Sequence, residues 1–216
     1  MYRLALALAL GGALSGCATT PHRPRPTGIV EQSTSTWRGK AEVADAGAID
    51  AMAARWAAAR ARASKAGPRA ARAIAAEGAL LAGPALDHPA PSPGPYRCRL
   101  VRIGSAAGRA GLRGYAPTAC FVGGDPGNQL SFSKPGGDAP SGWLFPDDVT
   151  TRYVFLGARQ HRTGGGGLAY GSDPARNLAG VFERVGNFRW RLVIAGAAPD
   201  TLDVYDLTPI AGPPAK

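Results

Sequence analysis

From Tyr96 onward, apolar and polar residues alternate in short stretches, most clearly over Val181–Ile194 (VFERVGNFRWRLVI). After the Gly186–Asn187 pair, apolar residues occupy every second position and arginines stand between them: Phe188, Trp190, Leu192 and Ile194 against Arg189 and Arg191. A period of two is typical of a strand with one buried face. A Gly-Asn pair between two such stretches indicates a tight turn. The pattern therefore predicts a β-hairpin that turns at Gly186–Asn187.

The same reasoning predicts strands at 96–103, 112–122, 128–133, 142–146, 152–158, 178–185, 188–195 and 201–207. Turns containing Gly, Pro, Asn or Asp separate most of them. Because no helical segment lies between these strands, βαβ crossovers and a parallel sheet are not expected. We predict a mainly β fold, with an antiparallel β-barrel-like or sandwich domain over residues 96–210.

A different pattern precedes the strands. Ile49, Met52, Trp56, Ala59 and Ala63 recur at helical spacing in an Ala-rich segment, with Asp45 as the expected N-cap. Gly67 should end this helix, and Pro68 should begin a second one that runs to about Leu81. We expect a helical pair over 38–82 that packs on the β domain, although its basic face would also suit an anionic membrane. A Pro-rich linker, 83–95, should then lead into the strands.

The N-terminus indicates export. Met1–Arg3 is a short basic start, Leu4–Leu10 is apolar, and the run ends in Leu14-Ser15-Gly16-Cys17. This is typical of a lipoprotein signal peptide, 1–16, which is cleaved before a lipidated cysteine. We therefore expect a lipid anchor on Cys17, a Pro/Thr/Ser-rich tether over 17–37, and an outer-membrane lipoprotein that faces the periplasm. The alternative is an ordinary signal peptide with Cys17 as a free thiol.

The 216-residue chain has a formal net charge of +10. Such a charge attracts anions without selecting one. Because an exported protein does not meet nucleic acid, the expected partners are the membrane, reached through the lipid on Cys17, and an acidic envelope protein or an anionic envelope component such as lipopolysaccharide. A genome-wide preference for arginine would also explain the charge.

Two further cysteines, Cys98 and Cys120, lie in predicted strands. In an oxidising compartment an even pair favours a disulfide, here across a loop of about twenty residues. The alternative is a catalytic cysteine, but no histidine lies near either one in sequence.

Several segments resemble a family of exported alphaproteobacterial proteins known as domain of unknown function 4893. They include YRCR at 96–99, Cys120, SGWLFPDD at 141–148, YVFLGA at 153–158, YGSDPAR at 170–176, AGVFERVGNFRWRLV at 179–193 and LDVYDLTP at 202–209. The resemblance spans roughly residues 36–209. It implies an exported protein with the same cysteine pair and implies no catalytic residues.

No motif for catalysis or phosphate binding is present, and the Gly164–Gly167 run is expected to be a flexible loop. His22, His88 and His161 are not spaced like metal ligands, so neither a metal nor a cofactor is expected. Asp147 and Asp148 should cap a turn through bonds to backbone N–H groups. We therefore predict a protein that is not an enzyme.

The aromatic residues of the strands offer two interpretations. Trp143, Tyr153, Phe155, Phe182 and Trp190 would either line a binding cavity or fill a solid core. A solid core favours a non-enzymatic protein-interaction module of the cell envelope, such as an inhibitor or an accessory assembly factor. A cavity favours the alternative, a barrel that binds a small or lipidic ligand in its interior.

Overall fold

The computed structural model describes residues 37–106, 109–125, 129–161, 167–196 and 201–210. Its β part is a closed, eight-stranded antiparallel barrel, as predicted. The barrel strands are β1 (Gly94–Ala106), β3 (Thr118–Gly124), β4 (Leu130–Ser133), β5 (Pro140–Pro146), β6 (Arg152–Arg159), β7 (Asn177–Gly186), β8 (Arg189–Ala195) and β9 (Thr201–Pro209). Each pairs with the next along the chain, and β9 closes the barrel on β1.

The predicted strand 112–122 is two strands. β2 (Arg109–Gly114) and β3 both pair with the same edge of β1, one after the other: β3 covers Gly94–Cys98 and β2 covers Val101–Ala106. β1 is therefore long enough to pair with β3 in the barrel and, farther along, to form an additional hairpin with β2.

The helices begin earlier and are more broken than predicted. They are α1 (Val43–Asp50), α2 (Met52–Ser64), α3 (Pro68–Ala76) and α4 (Ala79–Ala82). Asp45 is not an N-cap, because it lies inside the first turn of α1 and accepts a hydrogen bond from the Tyr170 hydroxyl (2.5 Å). The prediction that a helix starts at Pro68 is confirmed. Among the described residues, no helix is long and apolar enough to cross a membrane.

Strand alternation sends side chains to two apolar layers. Odd-numbered residues of β6 and even-numbered residues of β8 point into the barrel, as Phe155 and Leu192 do. Their neighbours point outward, where Leu156 and Val193 pack under the helices. Trp37, placed by sequence at the end of the tether, is fully buried in this outer layer, so the folded part includes it.

The Pro-rich segment 83–95 packs against the barrel. Leu86 N–H donates to the Arg184 carbonyl (2.8 Å), and the Trp190 indole donates to the Pro89 carbonyl (3.0 Å). The segment separates the helices from β1 in sequence, yet it covers one end of the barrel.

The disulfide is confirmed: Cys98 and Cys120 are bonded, with their Cα atoms 5.7 Å apart. It joins β1 to β3 inside the barrel. The predicted signal peptide, Cys17, the tether up to residue 36 and most of the Gly164–Gly167 loop lie outside the described residues.

Candidate interaction site at the barrel end

Three of the five aromatic residues singled out by sequence fill the barrel interior. Phe155 and Phe182 are fully buried and Trp190 nearly so, among Tyr96, Phe132 and Tyr205. The rings meet edge to face, with centroids 5.9 Å apart for Tyr96 and Trp190 and 6.1 Å apart for Phe132 and Phe155. These are the preferred geometries of packed aromatic side chains.

Tyr153 and Trp143 are less buried than these three residues. Tyr153 is partly buried against the interior layer, and burial raises the pKa of its phenol. Trp143 is 44% exposed on the outer face of β5, so it does not join the interior group. Sequence reasoning could not separate it from the others because neighbouring Gly142 and Leu144 gave no clear alternation.

Glycines make room for these rings. A Cβ on Gly157 would lie 2.5 Å from Cζ of Phe155, and closer still to the Ser141 carbonyl oxygen. Gly142 opposes Gly157 across β5 and β6. The strands can therefore place large rings inside the barrel only because these two positions carry no side chain.

A row of alternating charges crosses the outer face of five neighbouring strands. The strand register places Arg152 opposite Glu183, Glu183 opposite Arg191, Arg191 opposite Asp206, and Asp206 opposite Arg99. Only a cross-strand pairing scheme could have shown it, because the five residues come from five separate segments.

This row binds the helices to the barrel. Arg191 is 5% exposed, donates to Glu183 (2.6 Å) and to the Leu80 and Gly83 carbonyls (3.0 and 3.1 Å), and lies 4.7 Å from the Trp56 ring. Arg191 is not a surface arginine, because α2 and α4 cover it. At the other end of the row, Arg99 pairs with Glu77, which follows α3.

Asp147 caps a turn, as predicted, and also binds Trp37 and Arg152. Its carboxylate accepts the Asp148 N–H (2.9 Å), as expected of a turn cap. It also accepts the Trp37 indole N–H (3.0 Å) and pairs with Arg152 (2.5 Å). These bonds fix Trp37 against the β5–β6 turn.

A cleft of about 150 Å³ lies between α2 and the barrel wall, lined by Met52, Ala53, Trp56, Arg152, Val181, Glu183, Arg191 and Val193. It is smaller than the roughly 300–1,000 Å³ typical of small-molecule sites. Its charged residues already pair with one another or with Asp147, so it is part of the helix–barrel joint.

A larger groove, of about 410 Å³, opens at the end of the barrel that the Pro-rich segment covers. We call it the barrel-end groove. It is lined by Ser92, Pro93, Gly94, Pro95, Tyr96, Asn187, Phe188, Trp190, Pro209 and Ile210. None of these lining residues is charged.

The floor of the barrel-end groove is fixed. The Tyr96 hydroxyl donates to the Ser92 carbonyl (2.7 Å), and burial raises the pKa of that phenol. Trp190 is held by its bond to Pro89 and by its edge-to-face contact with Tyr96. Two rigid aromatic rings therefore form its base.

The rim of the groove is exposed and apolar. Phe188 is 75% exposed and Ile210 is 47% exposed. The sequence placed Phe188 on a buried strand face, which is wrong. The register of β7 and β8 shifts between Arg184 and Gly186, so the turn falls at Asn187–Phe188, one residue later than predicted, and presents the phenyl ring to solvent.

The described residues contain no group of three or more His, Cys, Asp or Glu side chains able to hold a metal ion. The barrel-end groove is a preformed, largely apolar surface, which suits binding. Grooves lined by aromatic side chains recognise extended peptide segments in several protein classes.

The protein is thus a closed antiparallel barrel with an outer helical layer and an aromatic groove at one end. The chain belongs to the family described as domain of unknown function (DUF4893), whose model matches residues 37–207. The match begins at the buried Trp37 and ends within β9. No curated protein matches the chain. No solved structure matches it either.

Proposed function

We propose that this protein is a non-enzymatic protein-interaction module of the cell envelope, and that the barrel-end groove captures an extended apolar segment of a partner protein. The observation that carries the proposal is Phe188, which is 75% exposed beside the fixed rings of Tyr96 and Trp190. Exposed aromatic residues next to a preformed pocket are typical of interface hot spots.

The packed interior supports this function over a ligand-binding lumen. Phe132, Phe155 and Phe182 are fully buried in the barrel and Tyr205 nearly so, with the Phe132 ring in contact with both Phe155 and Tyr205. Side chains occupy the space that a small or lipidic ligand would need.

The N-terminal sequence supports the location. In this proposal the chain is an outer-membrane lipoprotein on the periplasmic side, anchored through a lipid on Cys17. Metabolic labelling with a fatty-acid analogue should label the parent chain and leave Cys17→Ser unlabelled. Equal labelling of the two chains, or no labelling of the parent, would contradict the anchor without affecting the groove.

Photo-crosslinking in the native host tests the groove. A photoreactive phenylalanine analogue at position 188 of the full chain should give a discrete adduct with one other protein. The matched control carries the analogue at position 143, since Trp143 is an exposed aromatic residue on the barrel side, and should not give that adduct.

A second variant tests whether the adduct depends on the barrel-end groove. Ile210→Ser alters the opposite rim of the barrel-end groove and should weaken the adduct formed from position 188. The proposal is wrong if position 188 gives no adduct, gives the same adducts as position 143, or crosslinks only to this chain's own residues 211–216.

A further inference from the structure

The second and third helices carry a run of cationic residues that no acid interrupts. Between Asp50 and Glu77 the sequence has no acidic residue and six cationic ones: Arg55, Arg60, Arg62, Lys65, Arg69 and Arg72. On the barrel, cationic and acidic residues are interspersed. Arg99, Arg102, Arg152, Arg189 and Arg191 all form ion pairs with Asp or Glu.

Helix packing turns the cations outward. The apolar sides of α2 and α3 are buried on the barrel through Met52, Ala59, Ala63 and Ile74. Lys65, Arg69 and Arg72 are exposed on either side of the turn that joins the two helices, and we call these three residues the basic corner. The nearest acid that follows, Glu77, is paired with Arg99 and does not neutralise it.

We propose that the basic corner binds the phosphate groups of an anionic lipid surface. Its cations stand on an exposed helical surface among alanines, so they suit an extended array of charges. The neighbouring cleft between α3 and β2 suits a single small anion poorly, because Arg69 is the only cation among the described side chains that line it. The basic corner is a different surface from the barrel-end groove, so either can fail without the other.

The expected strength follows from the charges. Each Lys or Arg near an anionic membrane surface strengthens binding by roughly fivefold. Neutralising three of them should weaken it by on the order of 100-fold. Because these side chains are exposed, the attraction should also fall steeply with ionic strength.

Vesicle flotation tests the inference with the full chain carrying Cys17→Ser. The measured quantity is the ratio of its partition into vesicles of equal parts phosphatidylglycerol and phosphatidylcholine to its partition into phosphatidylcholine alone. This ratio cancels apolar insertion by residues 1–16, which is the same in every variant. The test variant is Lys65→Gln, Arg69→Gln, Arg72→Gln.

The control removes the same charge elsewhere, through Lys40→Gln, Arg97→Gln, Lys134→Gln. We expect the partition ratio to fall about 100-fold in the test variant and less than about fivefold in the control. Equal losses would show a net-charge effect and overturn the inference, as would an unchanged ratio in the test variant. If the triple variant fails to fold, Arg69→Gln and Arg72→Gln are measured singly, each with an expected loss of about fivefold, and no loss in either overturns it.

Discussion

The guanidinium of Arg191 joins the barrel to the helical layer. It pairs with Glu183, donates to two helix-end carbonyls and lies against Trp56. Arg191→Ala should lower the free energy of unfolding by about 3–5 kcal/mol, because it removes the buried partner of the Glu183 carboxylate, which is itself 15% exposed. Urea denaturation measures the change.

The comparison for this variant is Arg97→Ala, which removes an exposed arginine from β1 and should shift the free energy of unfolding by less than about 0.5 kcal/mol. Arg191→Lys keeps the charge without the planar donor set and should fall between the two. A cost for Arg191→Ala no larger than that for Arg97→Ala would show that the joint does not depend on this residue.

Tyrosine burial makes stability depend on alkaline pH. Burial raises the pKa of Tyr96, Tyr153, Tyr170 and Tyr205 above the ordinary value of 10.0, and at Tyr170 the bond to Asp45 raises it further. Above about pH 10 the unfolded chain binds fewer protons than the folded one, so stability falls as pH rises. Below that pH the contribution is fully present.

Urea unfolding at pH 7, 9 and 11 should therefore show little change between the first two and a clear loss at the third. Tyr205→Phe should reduce the loss between pH 9 and 11, because it removes one of the four titrating phenols. A pH dependence identical in the two proteins would mean that Tyr205 does not contribute.

At the scale of elements, the disulfide fixes β1 to β3 where β1 changes partner from β3 to β2. It closes a loop with a sequence separation of 22. Replacing Cys98 and Cys120 with Ala should cost about 3 kcal/mol, mainly through a less constrained unfolded chain. The measurement is chemical denaturation of variant and parent. Complete alkylation of both cysteines in the native, unreduced parent would contradict the bond itself.

The paired strands β5 and β6 depend on glycine. Gly157→Ala should lower stability by about 1–3 kcal/mol, because the new Cβ would collide with the Phe155 ring and the β5 backbone. Gly47→Ala is the matched control, since nothing lies within 4 Å of its Cβ position in α1. That variant should gain about 0.5–1 kcal/mol of helix stability. Thermal unfolding would reveal the opposite signs, and a neutral Gly157→Ala would contradict the packing described for the interior.

Sequence pattern predicts these elements well where alternation is regular. Trp190, Leu192 and Ile194 face the interior as the period of two indicates, and Pro68 begins a helix. It fails where tertiary contacts decide the outcome. The bulge near Val185 moves Phe188 to the turn, and Asp45 bonds to Tyr170 across 125 residues.

The candidate site is less accessible to sequence reasoning than the fold. Its residues come from the Pro-rich segment, the β7–β8 turn and the end of β9, which only barrel closure brings together. The alternation places Trp190 correctly on the interior face of its strand and Phe188 wrongly on the same face, and it says nothing of Pro93 or Ile210. The Pro-rich composition of 83–95 resembles that of a linker, and its role as a barrel cover follows from bonds to Arg184 and Trp190.

At the scale of the whole molecule, the two apolar layers have different structural roles. The interior layer is packed and gives the barrel its rigidity, while the outer layer holds the helices and leaves their basic side exposed. We propose that this protein binds a partner protein at the barrel-end groove and holds no small molecule inside its barrel.

Native mass spectrometry of the protein released gently from its own envelope distinguishes a bound partner protein from a ligand inside the barrel. We predict the folded chain either alone or with one additional protein, and Phe188→Ser should abolish the second species. A reproducible non-covalent mass of a few hundred daltons, lost on denaturation and retained in Phe188→Ser, would instead show a ligand in the barrel and contradict the account.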